Sequence, residues 1–245
     1  MAKRTEETKF RPARASARAA PARSGRLPKA AREARAAAEA PYHHGALREA
    51  LLAAAERVLE RDGLAGLTLR AVAREAGVSH AAPKHHFGDL TGLVSELAAI
   101  GFRQFNATME AARASSTQPP QRAMAAAKAY VAYAQAHPGM YGLMFRTERL
   151  DMSRPSLCEA ADASFAGLAR SVGASRHEHI EAEALTLEQA AAIARAWSLV
   201  HGFTMLLLDG RLADILRRLP EGTGVEPLLE AMLKITVARP PDSSP

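Results

Sequence analysis

His80, Ala81, Lys84 and His85 crowd into six residues just after Gly77-Val78-Ser79. Imidazole and ammonium groups reach phosphate oxygens, and small or imidazole-bearing residues can come up to base edges. The chemistry on offer is therefore recognition of DNA rather than bond making. Holding such groups in place takes two short helices and a tight turn, and the stretch from Leu67 to Phe87 spells both. Thr68 can cap the first helix, about 68–76, whose buried face is Leu69, Val72, Ala73 and Ala76 at helical spacing. Gly77 sits where the chain must leave that helix, a position that often needs positive φ. Val78 plugs the core, and Ser79 can cap the second helix, about 79–86. Pro83 falls in the first turn of that helix, where proline removes at most one backbone hydrogen bond, and none if His80 is the cap. The pattern is a helix-turn-helix, the device that lays a helix in the major groove.

A second group of side chains suits a small molecule. Met140, Tyr141, Met144, Phe145, Phe165, Trp197 and Met205 are apolar or amphipathic and can line a soft, adaptable pocket, although each taken singly also fits ordinary core packing. His201 lies four residues from Trp197 on an apolar helix. It reads either as a satisfied core histidine or as the pocket group that hydrogen-bonds an effector. Nothing points to catalysis: there is no Gly-rich phosphate loop, nucleophile elbow or two-histidine metal helix. His80, His85 and His86 lack a carboxylate or thiol at ligand spacing, so neither metal nor cofactor is expected. Cys158, the one cysteine, excludes an intrachain disulfide and reads as a buried small apolar residue.

The 245 residues carry a net charge of +6, unevenly spread. Residues 1–40 hold 11 basic and 4 acidic side chains, whereas residues 41–105 hold 7 of each. The helix-turn-helix unit is thus neutral apart from five histidines and should bind DNA non-specifically only weakly. Residues 1–40, rich in Ala, Arg and Pro, cannot bury enough apolar surface to fold. They read as a disordered basic arm, either simply solvated or following the DNA backbone. No segment resembles a signal peptide, which makes the cytoplasm the expected location.

From Pro41 onward the periodicity is helical throughout. Leu47, Leu51, Ala54, Ala55 and Val58 stripe a first helix ending near Asp62-Gly63. After the motif, Asp89 opens a helix to about Ala114, and others follow at about 121–136 and 139–146. Capping-box spacing at Ser156 and Glu159 predicts a helix to about Val172, and the same spacing at Thr186 and Gln189 predicts one over about 187–208. Pro227 suits the first turn of a last helix to about Ala238. The most apolar window, Ala190 to Leu208, reads as a buried helix rather than a membrane span. Between helices, the polar run from His177 to Glu183 reads as a solvated loop. The expected fold class is all-α, with about nine helices. A DNA-binding unit at 41–105 precedes a larger helical unit at 106–240 and a tail at 241–245.

Residues 42–105 resemble the TetR (tetracycline-repressor-like) family of bacterial regulators. The matching residues are the Leu47–Val58 helix, Gly66-Leu67-Thr68-Leu69-Arg70, Ala73, Ala76-Gly77-Val78-Ser79, and His86-Phe87 followed by Asp89 and Leu93. The C-terminal part resembles the subgroup with a WHG effector domain, through Trp197, His201 and Gly202, His137-Pro138-Gly139 and Tyr141-Gly142-Leu143-Met144-Phe145. The resemblance implies a homodimer on a double-stranded operator, a small-molecule pocket in the larger domain, and release of DNA when the fourth helix tilts. By the same resemblance Thr68 and Arg70 touch phosphates or bases, His80, Ala81 and Ala82 face base edges, and Lys84, His85 and His86 hold flanking backbone or bases. The last two long helices would build the dimer core. Two positions depart from the family: Lys84 stands for a usual tyrosine and Leu90 for a usual lysine. The first keeps a phosphate donor; the second removes one. The expectation is a ligand-responsive transcriptional regulator, a repressor by type, released by an apolar or amphipathic effector. The alternative is a small-molecule-binding helical dimer with weak or non-specific DNA binding.

Overall fold

The computed structural model describes residues 44–237. The expected arm at 1–40 and tail at 241–245 lie outside the described residues. Among those described, every regular element is helical. In chain order they are α1 (His44–Gly66), α2 (Leu69–Glu75), α3 (Ala82–Phe87), α4 (Leu90–Ala114), α5 (Pro119–Ala136), α6 (Pro138–Met144), a 3-10 turn (Thr147–Arg149), α7 (Pro155–Arg176), α8 (Leu187–Leu208), α9 (Ala213–Leu216) and α10 (Val225–Val237). The four-residue α9 and the 3-10 turn are elements that periodicity did not reveal; one turn is too short to repeat.

The stripe expected on α1 is its buried face: Leu51, Ala54, Ala55 and Val58 are wholly enclosed. Helical geometry breaks where expected, at Gly63, which takes φ 67° before a last turn to Gly66. These α1 side chains share one apolar core with Val72 of α2, Phe87 of α3, Leu93 and Leu97 of α4, and Tyr141 and Leu143 of α6. Each such leucine contributes about 1.5–3 kcal/mol by leaving water. The core continues along α4 through Phe102, Phe105 and Met109 to Leu157 and Ala160 of α7. The helix-turn-helix and the helical body are therefore packed on a common α4. Contact with α1 is close at Gly139, where a Cβ would lie 2.9 Å from the Leu59 carbonyl oxygen.

Capping spacing worked at one site and failed at another. At α8 the Thr186 hydroxyl accepts from the Gln189 amide at 3.2 Å, while the Gln189 side chain accepts from the Thr186 amide at 3.0 Å, a complete capping box. At α7 the expected box from Ser156 to Glu159 does not form. Pro155, with φ preset for the first helical position, starts the helix early, and Arg154 is the cap without a side-chain hydrogen bond. The Ser156 hydroxyl is left buried without a partner.

Two further expectations are corrected. Within one chain α8 is not a buried helix: only Ile193, Phe203 and Thr204 are enclosed, while Leu187, Trp197, Met205 and Leu206 are exposed. Among the described residues, no second layer covers that face. With a mean hydropathy of 1.4, α8 is also the one described helix long and apolar enough to cross a membrane. Cys158 is exposed rather than buried, because the inward stripe of α7 is Leu157 and Ala160. Its thiol hydrogen-bonds the Asp162 carboxylate at 3.3 Å, which raises its pKa and keeps it protonated. In the polar run His177, His179, Glu181 and Glu183 are exposed as expected and Glu178 is half-buried, while Ile180 between them turns inward, 4% exposed, onto Ala169, Val172 and Ile193.

Candidate functional site

The reading head is built by the turn between α2 and α3. Thr68 caps α2 as expected, its hydroxyl accepting from the Ala71 amide at 3.1 Å. At the far end the Gly77 amide reaches the Arg74 carbonyl at 3.2 Å and the Val78 amide the Ala73 carbonyl at 3.0 Å. That pair of bonds requires a left-handed residue between them, and Gly77 supplies it at φ 67°. Glu75 locks the turn to the first helix by accepting from Arg57 at 2.8 Å and Arg61 at 3.0 Å. These guanidinium hydrogen bonds hold the Glu75 carboxyl below its ordinary value.

The second helix starts later than its capping residue suggested. The Ser79 backbone carbonyl, not its hydroxyl, receives the chain, accepting from the Ala82 amide at 3.0 Å. Ala81 is the cap and makes no side-chain hydrogen bond. His80 and Ala81 thus ride on a turn ahead of α3, and Pro83 lies buried in its first turn. Thr68, Arg70, Ser79, His80, Ala81, Lys84 and His85 are exposed, while Ala82 and His86 are half-buried. The His85 and His86 rings meet edge to face at 5.4 Å. Gly88, at φ 82°, ends α3, and Asp89 at once caps α4 by accepting from the Gly92 amide at 2.8 Å.

The residues expected to form a pocket divide into three places. Tyr141, Phe145, Trp197 and His201 come together: Phe145 lies 4.9 Å from the Tyr141 ring, 4.8 Å from His201 and 6.4 Å from Trp197. Met140 and Met144 sit beside them but fully enclosed against α4. Phe165 belongs to a separate cluster between α7 and α8, and Met205 faces outward, 39% exposed. Sequence reading missed Tyr130, which completes the polar centre. The Tyr130 and Tyr141 hydroxyls lie 2.9 and 2.8 Å from His201 Nδ1 and 3.1 Å from each other. Burial pushes the Tyr130 hydroxyl up to about 12 and Tyr141 higher still, and it lowers His201. All three are therefore neutral near pH 7. Tyr130 lies on an apolar stretch of α5, and nothing in its spacing sets it apart from Tyr133.

Residues 51–97 match the bacterial regulatory proteins of the tetR family, and residues 123–234 match the tetracyclin repressor-like C-terminal domain. A protein with unknown function from Rhodococcus sp. RHA1 is 35% identical over 80% of this chain and 96% of that one, with a TM-score of 0.63. The chain belongs to the TetR family. Two more distant structures share its fold. A regulatory protein in the tetR family from Rhodococcus RHA1 is 18% identical over 77% of this chain and 94% of that one, with a TM-score of 0.51. The transcriptional regulator FadR from Bacillus subtilis, in complex with stearoyl-CoA, is 13% identical over 78% and 97%, with a TM-score of 0.53. No curated protein matches the chain in sequence.

This TetR-family regulator also ties its reading head to the start of α7, by contacts its sequence does not advertise. Glu96 of α4 pairs with Arg48 of α1 at 2.6 Å and with Arg154 at 3.7 Å. Arg48 lies over the Phe87 ring of α3, 5.4 Å from its centroid. In the same turn of α4, the buried Ser95 hydroxyl accepts from the Asp151 amide at 2.8 Å and donates to the Thr91 carbonyl at 2.7 Å. The segment before α7 is thereby fastened to the first two turns of α4. Leu90, where the family usually has lysine, packs partly buried against the core.

Proposed function

We propose that this TetR-family protein is a cytoplasmic transcriptional repressor that grips an operator as a homodimer and lets go when a small apolar or amphipathic effector enters its larger domain. The DNA contacts are Thr68, Arg70, Ser79, His80, Ala81, Ala82, Lys84, His85 and His86. His80 and Ala81 stand ahead of α3, where they meet base edges; Lys84 and His85 reach the flanking phosphates. Tyr141, Phe145, Trp197 and His201 are the aromatic wall of the effector domain.

The observation that carries the dimer is the uncovered face of α8. Leu187, Trp197, Met205 and Leu206 lie exposed there. Gly202 lies on the same stripe, with nothing within 4 Å of the position a Cβ would take. Glycine inside a helix costs about 1 kcal/mol against alanine, so a bare glycine on this face suits the close approach of a second α8. A twofold axis through that contact sets two reading heads on one duplex.

The test is selection of bound sequences from random duplex DNA with the full-length protein. We expect an inverted repeat whose half-sites lie about one helical turn, or a small multiple, apart. A single unpaired half-site, or no consensus, would count against the reading.

A further inference from the structure

Between the C-terminal half of α4 and the middle of α7 lies a cleft of about 360 Å³. Ligand pockets begin at about 300 Å³, so this one has room for a small organic molecule. One wall is apolar, from Phe105 and Met109 of α4. The other end is cationic. Arg113 of α4 and Arg170 of α7 converge over Gly167: from the Cβ position of that glycine, the Arg113 terminal nitrogens lie 3.5 and 3.6 Å away and the nearest Arg170 nitrogen 3.8 Å. Two guanidiniums aimed at one spot repel, and burial strips water from Arg113, so both effects work against its charge. Their compensation within the chain is meagre. Arg113 donates through Nε to the Ser171 hydroxyl at 2.8 Å and pairs with the exposed Glu110 at 3.3 Å. Arg170 makes no ion pair or hydrogen bond among the described residues. The neutral polar groups nearby are already spent on each other: Asn106 accepts from the Ser164 hydroxyl and donates to the Ala160 carbonyl at 3.0 Å.

From this we infer that the α4–α7 cleft is the effector's head-group site, and that it takes a small molecule bearing a carboxylate on an apolar body. Guanidiniums bind carboxylates through paired charge-assisted hydrogen bonds. A bare phosphate would leave the Phe105–Met109 wall unused. The inference rests on the proposed effector response and names its ligand class. Its position gives it a route to the DNA-binding unit. Phe105 stacks edge-on against Tyr130 at 5.1 Å, so an occupant meets the tyrosine–histidine centre through one ring. At its other end α7 follows the segment fastened to the first turns of α4 by Arg154 and Asp151. An anion that draws Arg113 and Arg170 together changes how α4 and α7 lie, and both helices lead back to the reading head.

The test is calorimetric titration of full-length protein with monocarboxylates of four to twelve carbons, alongside the matched primary alcohols and inorganic phosphate. We expect at least one carboxylate to bind at least about tenfold tighter than its alcohol, as befits a charge-assisted pair, and phosphate to bind no better than the alcohol. Arg170→Gln, which breaks no hydrogen bond or ion pair among the described residues, should weaken that carboxylate about tenfold without lowering the melting temperature. Glu110→Gln, by freeing Arg113 of its competitor, should tighten it. Carboxylates that fail to bind, bind no better than alcohols or phosphate, or ignore Arg170→Gln would overturn the inference while leaving operator binding intact. A carboxylate that binds through Arg170 yet leaves operator affinity unchanged would uphold the site and overturn the effector reading.

Discussion

His201 presents a single nitrogen to two tyrosine hydroxyls, at 2.8 and 2.9 Å. A neutral ring that accepts at Nδ1 carries its proton on Nε2. Burial holds this imidazole below its ordinary 6.5, so as pH falls through that value the unfolded chain takes a proton that the folded chain refuses. The stabilisation is whole above about pH 6.5 and drains away below it. We expect the urea midpoint to fall between pH 7.5 and 5.5 in the parent protein, and to fall less in His201→Gln; parallel declines would remove His201 from the account. At the DNA face, His80→Ala should change which base is preferred at one position in each half-site. Uniform weakening on every sequence would instead mark His80 as a phosphate contact. Residue roles of this kind were partly legible. Thr68 and Thr186 cap as their spacing says, because a hydroxyl three residues ahead of an amide is a local arrangement. Ser156 fails because its neighbour Pro155 claims the first helical position. Tyr130, Arg113 and Arg170 gave no sign, since each acquires its meaning only from a helix far away in sequence.

Helices were the most legible level, because apolar residues at three- and four-residue spacing declare a buried face without knowledge of what covers it. What the chain does not write down is which helix does the covering. α8 shows this: its apolar run predicts burial, yet among the described residues its outer face is bare. The join between α3 and α4 is a second case. Asp89 as the start of α4 could be read from the sequence, but the tightness of the corner could not. A Cβ on Gly92 would sit 2.0 Å from the Phe87 carbonyl oxygen and 2.6 Å from an Arg154 nitrogen. Backbone cannot yield as a side-chain tip can, so Gly92→Ala must pry α4 from the recognition helix. We expect a lower melting temperature and loss of operator affinity of at least about tenfold. Gly142→Ala, where nothing lies within 4 Å, should leave both unchanged. Equal behaviour of the two variants would mean the corner is not fixed as described.

Across the whole molecule, one core joins the head to the body through α4, while the outer face of α8, where the proposed dimer contact lies, is uncovered among the described residues. Met205→Glu should place a charge on that bare face without disturbing the chain's own packing. We expect sedimentation to report monomer for Met205→Glu and dimer for the parent, with operator affinity falling because each head then binds alone. A dimeric Met205→Glu variant would move the interface elsewhere. Between 41 and 105 acidic and basic side chains balance, so the head must draw its affinity from specific contacts more than from a general attraction to phosphate. The most direct measurement is binding of the full-length protein to the intergenic DNA upstream of its own gene and to a shuffled copy, at about 0.15 M salt. An operator-reading dimer should prefer the native sequence by about a thousandfold or more. Equal, weak binding to both would contradict a specific regulator and favour a helical small-molecule binder with only non-specific hold on DNA.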